Sequence, residues 1–161
     1  MKKQMLVYVA LSISATLAHR AFAWSRVGHQ TVALIAEHRL SKPALEQVHA
    51  ILGPGVGLAD IAGCADNIKR HSVNCADRFQ VARDPSSRRQ HYINVSIKDS
   101  PNSTTIMDSC RIQGKTQACI IDQINEGLGV LKDPAATRAQ KQIALMFGVH
   151  FVGDIHTPLH N

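Results

Sequence analysis

The sequence predicts a mostly α-helical fold, a single domain of several helices, and three observations favour it. Apolar residues recur with helical spacing in several separate stretches, whereas only one short stretch alternates with the period of a strand. The 161-residue chain is 45% hydrophobic and only 19% charged, which is typical of one globular domain. In such a fold, inward-facing side chains on neighbouring helices can assemble a binding site.

The first 23 residues have the pattern of a cleaved secretory signal. Lys2 and Lys3 precede an apolar run from Leu6 to Ala18, and Ala21-Phe22-Ala23 supplies small residues for cleavage. The alternative is a membrane anchor, but the apolar run is shorter than a spanning helix requires. We therefore expect a mature domain of residues 24–161 that is secreted or periplasmic, monomeric and without a membrane anchor.

Signal cleavage also changes the net charge. The whole chain has a formal charge of +6, and loss of three basic residues without any acid lowers it to +3. This mildly basic balance is compatible with a phosphate-bearing substrate. It does not by itself indicate nucleic acid, which usually requires a concentrated basic face.

The first predicted helix runs from Ser25 to Leu40. Its spacing places His29, Ala33 and Ala36 on one face together with Leu40. We therefore expect this helix to carry His29 into the core.

Start and stop signals define the next two helices. Ser41 followed by Pro43 favours a helix from Ala44 to Leu52, which Gly53-Pro54 ends. A short helix is expected from Ile61 to Lys69.

The second half of the chain combines one extended segment with two longer helices. Gln90 to Ile97 alternates apolar and polar residues, which predicts extended backbone, although one short strand does not make a sheet. Helices are expected from Ala118 to Leu131 and from Thr137 to about His156.

The chain contains four cysteines: Cys64, Cys75, Cys110 and Cys119. An even number in an exported chain favours disulfide bonds, and four cysteines allow three pairings. Short loops favour Cys64 with Cys75 and Cys110 with Cys119. Thiolate zinc ligands are the alternative, but the sequence lacks the C-x-x-C pair that they usually require.

The last residues carry the strongest chemical signal, with three histidines and one aspartate in a mostly apolar stretch from His150 to His160. His150 and Asp154 are four residues apart and share a helix face, so both can bind one ion. Pro158 forces the backbone out of the helix before His160. A single histidine of this kind would more simply be a hydrogen-bonded core residue, but imidazoles together with a carboxylate favour zinc.

Four blocks occur in order along the mature chain: Trp24-Ser25-Arg26-Val27-Gly28-His29, Cys64-Ala65-Asp66-Asn67-Ile68-Lys69-Arg70, His91-Tyr92-Ile93-Asn94-Val95, and the stretch from His150 to His160. In these blocks the sequence resembles the zinc-dependent single-strand nucleases of fungi, plants and bacteria, the nuclease S-one/P-one family. The resemblance implies the fold of zinc phospholipase C and the single-strand nucleases, with three bound zinc ions.

The resemblance also implies which residues bind metal. Trp24, through the amine and carbonyl that signal cleavage leaves at the new N-terminus, would hold one zinc with His29. Asp66, His91 and His150 would hold a second.

Three residues of the terminal block have further roles in the family. Asp154 would bridge the two zinc ions, and His156 would support the ligands without binding metal itself. His160 would bind a third zinc whose other ligands lie further downstream in the family. We therefore expect two zinc sites to be substantially present in this chain and the domain to be incomplete at its C-terminus.

The implied activity is hydrolysis of single-stranded DNA and RNA to 5′-nucleotides, together with a 3′-nucleotidase activity. A phosphodiester repels hydroxide, so metal cations that generate the nucleophile and absorb charge suit this reaction, with Asp66 and Asp154 as catalytic ligands. Lys69 shares a helix face with Asp66 and would contact a phosphate oxygen as a catalytic and binding residue. Tyr92 and Asn94 would bind the base, and stacking on an aromatic ring contributes about 1–3 kcal/mol per base.

Two alternatives remain open. A zinc-dependent phospholipase C-like hydrolase also begins with a metal-binding tryptophan, but the short interval between Trp24 and His29 favours the nuclease. The chain can also be a catalytically inactive zinc-binding fragment, because His160 alone does not make a site. An HD-type phosphohydrolase is excluded, since no His-Asp dipeptide occurs.

Overall fold

The computed structural model describes residues 26–69, 75, 90–93, 95, 98, 110 and 119–157. Within these ranges the chain forms helices and no β-strand, which confirms the mostly α-helical prediction. The helices are α1 (Arg26–Arg39), α2 (Lys42–Leu52), α3 (Leu58–Ile61), α4 (Cys64–Lys69), α5 (Ile120–Lys132) and α6 (Arg138–Ile155).

Local capping interactions explain where α2 begins and ends. Ser41 precedes the helix and its hydroxyl accepts a hydrogen bond from the backbone N–H of Ala44, at 3.4 Å. Pro43 lies in the first turn, where its missing N–H costs nothing. Gly53 ends the helix with φ of 98°, a backbone conformation that favours glycine.

The long helix α6 begins with a capping box. Thr137 accepts a hydrogen bond from the backbone N–H of Gln140, and the Gln140 side chain accepts one in return from the N–H of Thr137. Five stretches were predicted to be helical and all five contain helix. The largest difference is at the short third stretch, where α3 begins at Leu58 and is separate from α4.

Helix α6 organises the packing of the described chain, because it lies against α5 and also contacts α1, α2, α3 and α4. One core cluster joins the first helices to α6 through residues such as Ala33, Ile61 and Met146. A second cluster surrounds Phe151 and includes Ile93. The polar side chains of the site described below lie beside these two clusters.

The two disulfide bonds join Cys64 to Cys75 and Cys110 to Cys119. This is the pairing that the short loops favoured. The first bond fixes the start of α4, and the second lies at the start of α5. No cysteine remains free, so thiolate ligation of zinc was the wrong alternative.

An apolar groove of about 250 Å³ runs between α1, α5 and α6. Its lining includes Val32 and Ala36 from α1 and Gly148 from α6. Ala36 is therefore exposed at the groove, whereas its spacing had predicted that it shares the buried face of His29. Among the described residues, no helix is both long and apolar enough to span a membrane.

The extended segment predicted from Gln90 to Ile97 does not form a strand where it is described. Gln90 and His91 lie in a short 3₁₀ turn, and Tyr92, Ile93 and Val95 belong to no helix or strand. His91 and Ile93 are buried whereas Tyr92 is half-buried. The alternation thus reflects one side packing on the helical core, because no strand among the described residues lies alongside to complete a ladder.

Candidate metal centre

Five polar residues from four separate segments of the chain come together beside the core. His29 comes from α1, Asp66 from α4, His91 from the 3₁₀ turn, and His150 and Asp154 from α6. We call these five residues the Asp154 cluster. All except Asp66 are buried, so their polar atoms need partners inside the protein.

Asp154 lies between the three imidazoles of the cluster. Its Oδ1 atom is 3.3 Å from Nε2 of His29. On the other side, its Oδ2 atom is 2.9 Å from Nδ1 of His91 and 3.2 Å from Nε2 of His150. The two oxygens of one carboxylate thus face different ligands.

Asp66 approaches the cluster from the side of His91 and His150. Its Oδ1 atom is 4.0 Å from Nδ1 of His91 and 3.8 Å from Nε2 of His150. These separations exceed hydrogen-bond distance but suit two ligands of one ion, since each zinc–ligand bond is about 2 Å long.

Two groups of ligand atoms each lie within 4.8 Å of one another. We call His29, His150 and Asp154 the first ligand group, and Asp66, His91 and His150 the second ligand group. The second contains the three residues expected to share one zinc. The first contains His29 and Asp154, although Trp24, the expected partner of His29, lies outside the described residues.

The ring of His150 is oriented by the backbone. Its Nδ1 atom donates a hydrogen bond to the carbonyl oxygen of Ala62, at 2.7 Å. In the neutral ring this leaves a lone pair on Nε2, which points at the cluster. Backbone carbonyls orient metal-binding histidines in this way.

The contact between His150 and Asp154 favours a cation between the two side chains. In the neutral ring, Nε2 of His150 and Oδ2 of Asp154 are both acceptors, yet they are only 3.2 Å apart. Two acceptors at this distance repel one another unless a proton or a metal ion lies between them. A buried set of imidazoles and carboxylates therefore fits zinc by its chemistry and by its geometry.

The Asp154 carboxyl is stabilised in its charged form. Burial raises its pKa, but the three imidazoles around it, those of His150, His29 and His91, outweigh this and hold the pKa of Asp154 far below its usual range. The ionised carboxylate is the form that binds metal.

Contacts between rings also hold the imidazoles in place. The rings of His29 and His150 are stacked with centroids 3.8 Å apart. Phe151 presents its ring to His91 at 5.0 Å in an edge-to-face arrangement. The ligands are thus held by packing as well as by hydrogen bonds.

Three contributors were not predicted from the sequence: Ala62, Phe151 and Gly153. Ala62 acts through its carbonyl, which no side-chain pattern reveals. Phe151 and Gly153 lie within the terminal block, so their positions next to His150 and Asp154 were the available signal. A Cβ atom built on Gly153 would lie 2.8 Å from Nδ1 of His29, which only the packing of α1 on α6 reveals.

Several predicted site residues do not lie within the part of the chain that the structure describes. Trp24, Asn94 and His160 lie outside the described residues, as does the side chain of Lys69. Tyr92 directly follows the candidate ligand His91 and is half-buried.

His156 lies at the end of α6, where its Nδ1 atom donates a hydrogen bond to the carbonyl oxygen of Val152, at 2.7 Å. Its side chain is exposed. This hydrogen bond caps the end of α6 and does not join His156 to the Asp154 cluster, so the expected support for the metal ligands stays a prediction.

Comparison with known proteins places the chain in a family. The family model described as S1/P1 Nuclease matches residues 24–161. Nuclease S1 of Aspergillus oryzae is 32% identical over 157 residues, which cover 94% of this chain and 50% of the relative. Nuclease P1 of Penicillium citrinum is 31% identical over 140 residues, which cover 86% of this chain and 47% of the relative.

A plant protein is similar at the same level. Endonuclease 2 of Arabidopsis thaliana is 29% identical over 161 residues, covering 97% of this chain and 50% of the relative. The chain thus spans about half the length of the curated relatives that it matches. Since the family match extends over the whole predicted mature domain, the chain belongs to the S1/P1 nuclease family.

Proposed function

We propose that this chain is part of a zinc-dependent phosphodiesterase that hydrolyses single-stranded DNA and RNA to 5′-nucleotides and also acts as a 3′-nucleotidase. One observation carries the proposal. Asp154 faces His29 with one oxygen and His91 and His150 with the other, which is the arrangement of a carboxylate that bridges two ions. Membership of the nuclease family supports the choice of substrate.

The ligands divide between two zinc ions around this carboxylate. Trp24 and His29 would hold one ion, and Asp66, His91 and His150 the other, with Asp154 shared. Zinc bound there would supply a nucleophile near neutral pH and offset the charge that develops on the phosphate. His160 would be a ligand of a third zinc.

The chain's own residues would position the ions and the substrate. Ala62 orients His150 through the hydrogen bond to Nδ1, and Asp154 keeps the two ligand groups at a fixed separation. Lys69, one turn after Asp66 on α4, would bind a phosphate oxygen. Tyr92 and Asn94 would bind an unpaired base by stacking and hydrogen bonding, which a base already stacked in a duplex cannot accept.

We also propose that the protein is exported and that cleavage after Ala23 completes the site. The family match begins at Trp24, the first residue after the predicted signal. The two disulfide bonds are typical of an oxidising compartment. A form that retains residues before Trp24 should lose most zinc affinity at the His29 ion, because the new N-terminal amine would be missing.

The direct test is hydrolysis by the zinc-loaded mature chain. Single-stranded oligonucleotides of DNA and RNA and a 3′-nucleotide should be cleaved, whereas a matched duplex and phosphatidylcholine should be cleaved far more slowly. Turnover of phosphatidylcholine alone would contradict the proposal and favour the phospholipase C-like alternative. Zinc binding without hydrolysis of any of these compounds would favour the inactive fragment.

A further inference from the structure

Gly153 precedes Asp154 on α6, and the ring of His29 from α1 packs directly over it. A Cβ atom on residue 153 would lie 2.8 Å from Nδ1 and 3.4 Å from Cε1 of His29. Carbon and nitrogen atoms that are not bonded do not approach this closely in packed interiors. Any side chain at position 153 would therefore displace the imidazole.

The imidazole of His29 has little room to move. The ring of His29 also stacks on the ring of His150, with centroids 3.8 Å apart, and only 2% of the residue is exposed. Its Nε2 atom lies 3.3 Å from Oδ1 of Asp154. Displacement from residue 153 would therefore disturb the stack or draw Nε2 away from the carboxylate.

We propose that Gly153 is a positioning residue for metal binding by the first ligand group, and that it acts through His29. The inference rests on the proposed zinc centre. The three atoms nearest to a Cβ atom at this position, apart from those of the helix's own backbone, all belong to the His29 ring. His91 faces the other oxygen of Asp154, so the effect should be larger at the ion that His29 would hold than at the ion that Asp66 and His91 would hold.

The same helix offers a matched control. Gly148 also lies on α6, but a Cβ atom there would have nothing within 4 Å because it would enter the apolar groove. Alanine raises helix propensity equally at both positions. The two variants therefore differ because Gly153→Ala brings a Cβ atom against His29 and Gly148→Ala does not.

The experiment is metal titration of the mature chain, residues 24–161, as wild type and as the Gly153→Ala and Gly148→Ala variants. Zinc stoichiometry is measured by elemental analysis, and cobalt(II) serves as a visible spectroscopic probe of each site. The wild-type chain and Gly148→Ala should bind an ion at each ligand group. Gly153→Ala should retain the ion of the second group and bind the first about 10-fold to 100-fold more weakly, with loss of one component of the cobalt spectrum.

The outcomes separate this inference from the proposed function. Unchanged affinity, stoichiometry and cobalt spectrum in Gly153→Ala would overturn the positioning role while leaving the metal centre in place. Equal weakening of both ions would also overturn it, because that is the result of a general structural defect. A wild-type chain that binds no ion would contradict the metal centre itself and this inference with it.

A double variant tests whether Gly153 acts through His29, even if Gly153→Ala alone does not fold. His29→Ala removes the imidazole and makes room for a Cβ atom at residue 153. His29→Ala with Gly153→Ala should therefore bind zinc like His29→Ala alone and be no less stable than it, which is strong non-additivity. Any further loss of zinc at the second ligand group in the double variant would overturn the proposal.

Discussion

The Asp154 cluster and the start of α5 both bring potential metal ligands within 4.8 Å of one another. At the start of α5 these are Cys110, Cys119 and Asp122. The two sulfur atoms there are joined in a disulfide bond, so neither can act as a thiolate. Only the Asp122 carboxylate remains as a strong ligand, and one carboxylate does not hold zinc.

In the Asp154 cluster the candidate ligands other than Asp66 are buried, and further contacts hold them in place. The Ala62 carbonyl fixes the ring of His150, and hydrogen bonds keep Asp154 ionised. The comparison teaches that proximity of suitable residue types does not define a metal site. The ligands must also be in the right chemical state and be held there by a second layer of contacts.

Replacing the central carboxylate should produce the largest effect. Asp154→Asn keeps the shape but removes the charge that both ligand groups share, so zinc affinity should fall by more than about 100-fold at both. Calorimetric titration with zinc would measure this. Asp122→Asn is the matched control from the other region, and an equal loss of zinc in that variant would break the comparison.

Removing the disulfide bond at α5 should affect stability and leave metal binding unchanged. Cys110→Ser with Cys119→Ser opens a loop with a sequence separation of 9, which should lower the free energy of unfolding by roughly 2.5 kcal/mol. Denaturant unfolding of the zinc-free chain gives this value. If zinc stoichiometry also fell in the folded variant, the α5 region would belong to the metal centre after all.

Acid should destabilise the zinc-free chain through Asp154. Its pKa is lowered in the folded protein, so the stabilisation is fully present above the pKa of about 3.9 that an unfolded aspartate has. It is lost as the pH falls below that value toward the folded pKa, and should amount to about 2 kcal/mol. Unfolding measured from pH 6 to pH 2 should show a weaker pH dependence in Asp154→Asn, and identical curves would argue against the charged cluster.

The smallest effect is expected at Asp122. It lies in the first turn of α5, where a negative charge interacts favourably with the helix dipole. Asp122→Asn should lower the free energy of unfolding by about 0.5 kcal/mol, and added salt should reduce the difference. A loss several times larger would mean that Asp122 has a partner beyond the helix terminus.

The helices and the disulfide pairing were largely predictable because they depend on local order. Ser41, Pro43 and Gly53 mark the limits of α2 through capping and turn preferences. His150 and Asp154 of the terminal block are four residues apart on one helix face, so their proximity follows from sequence spacing. The segment predicted to be extended from Gln90 begins instead with a 3₁₀ turn at Gln90 and His91, because alternation reports burial on one side and does not by itself fix the backbone conformation.

The sequence by itself determined the helical segments, the cysteine pairs and the types of ligand that the chain has available. Only the tertiary structure decided that His29 and His91 meet the two sides of Asp154, that the carbonyl of Ala62 orients His150, and that Gly153 leaves space for the ring of His29. These contacts join residues that are far apart in the chain. One of them is made by a backbone carbonyl, and another is possible because glycine has no side chain. Their geometry arises when α1 and α4 pack against α6, and no local pattern of residues encodes it.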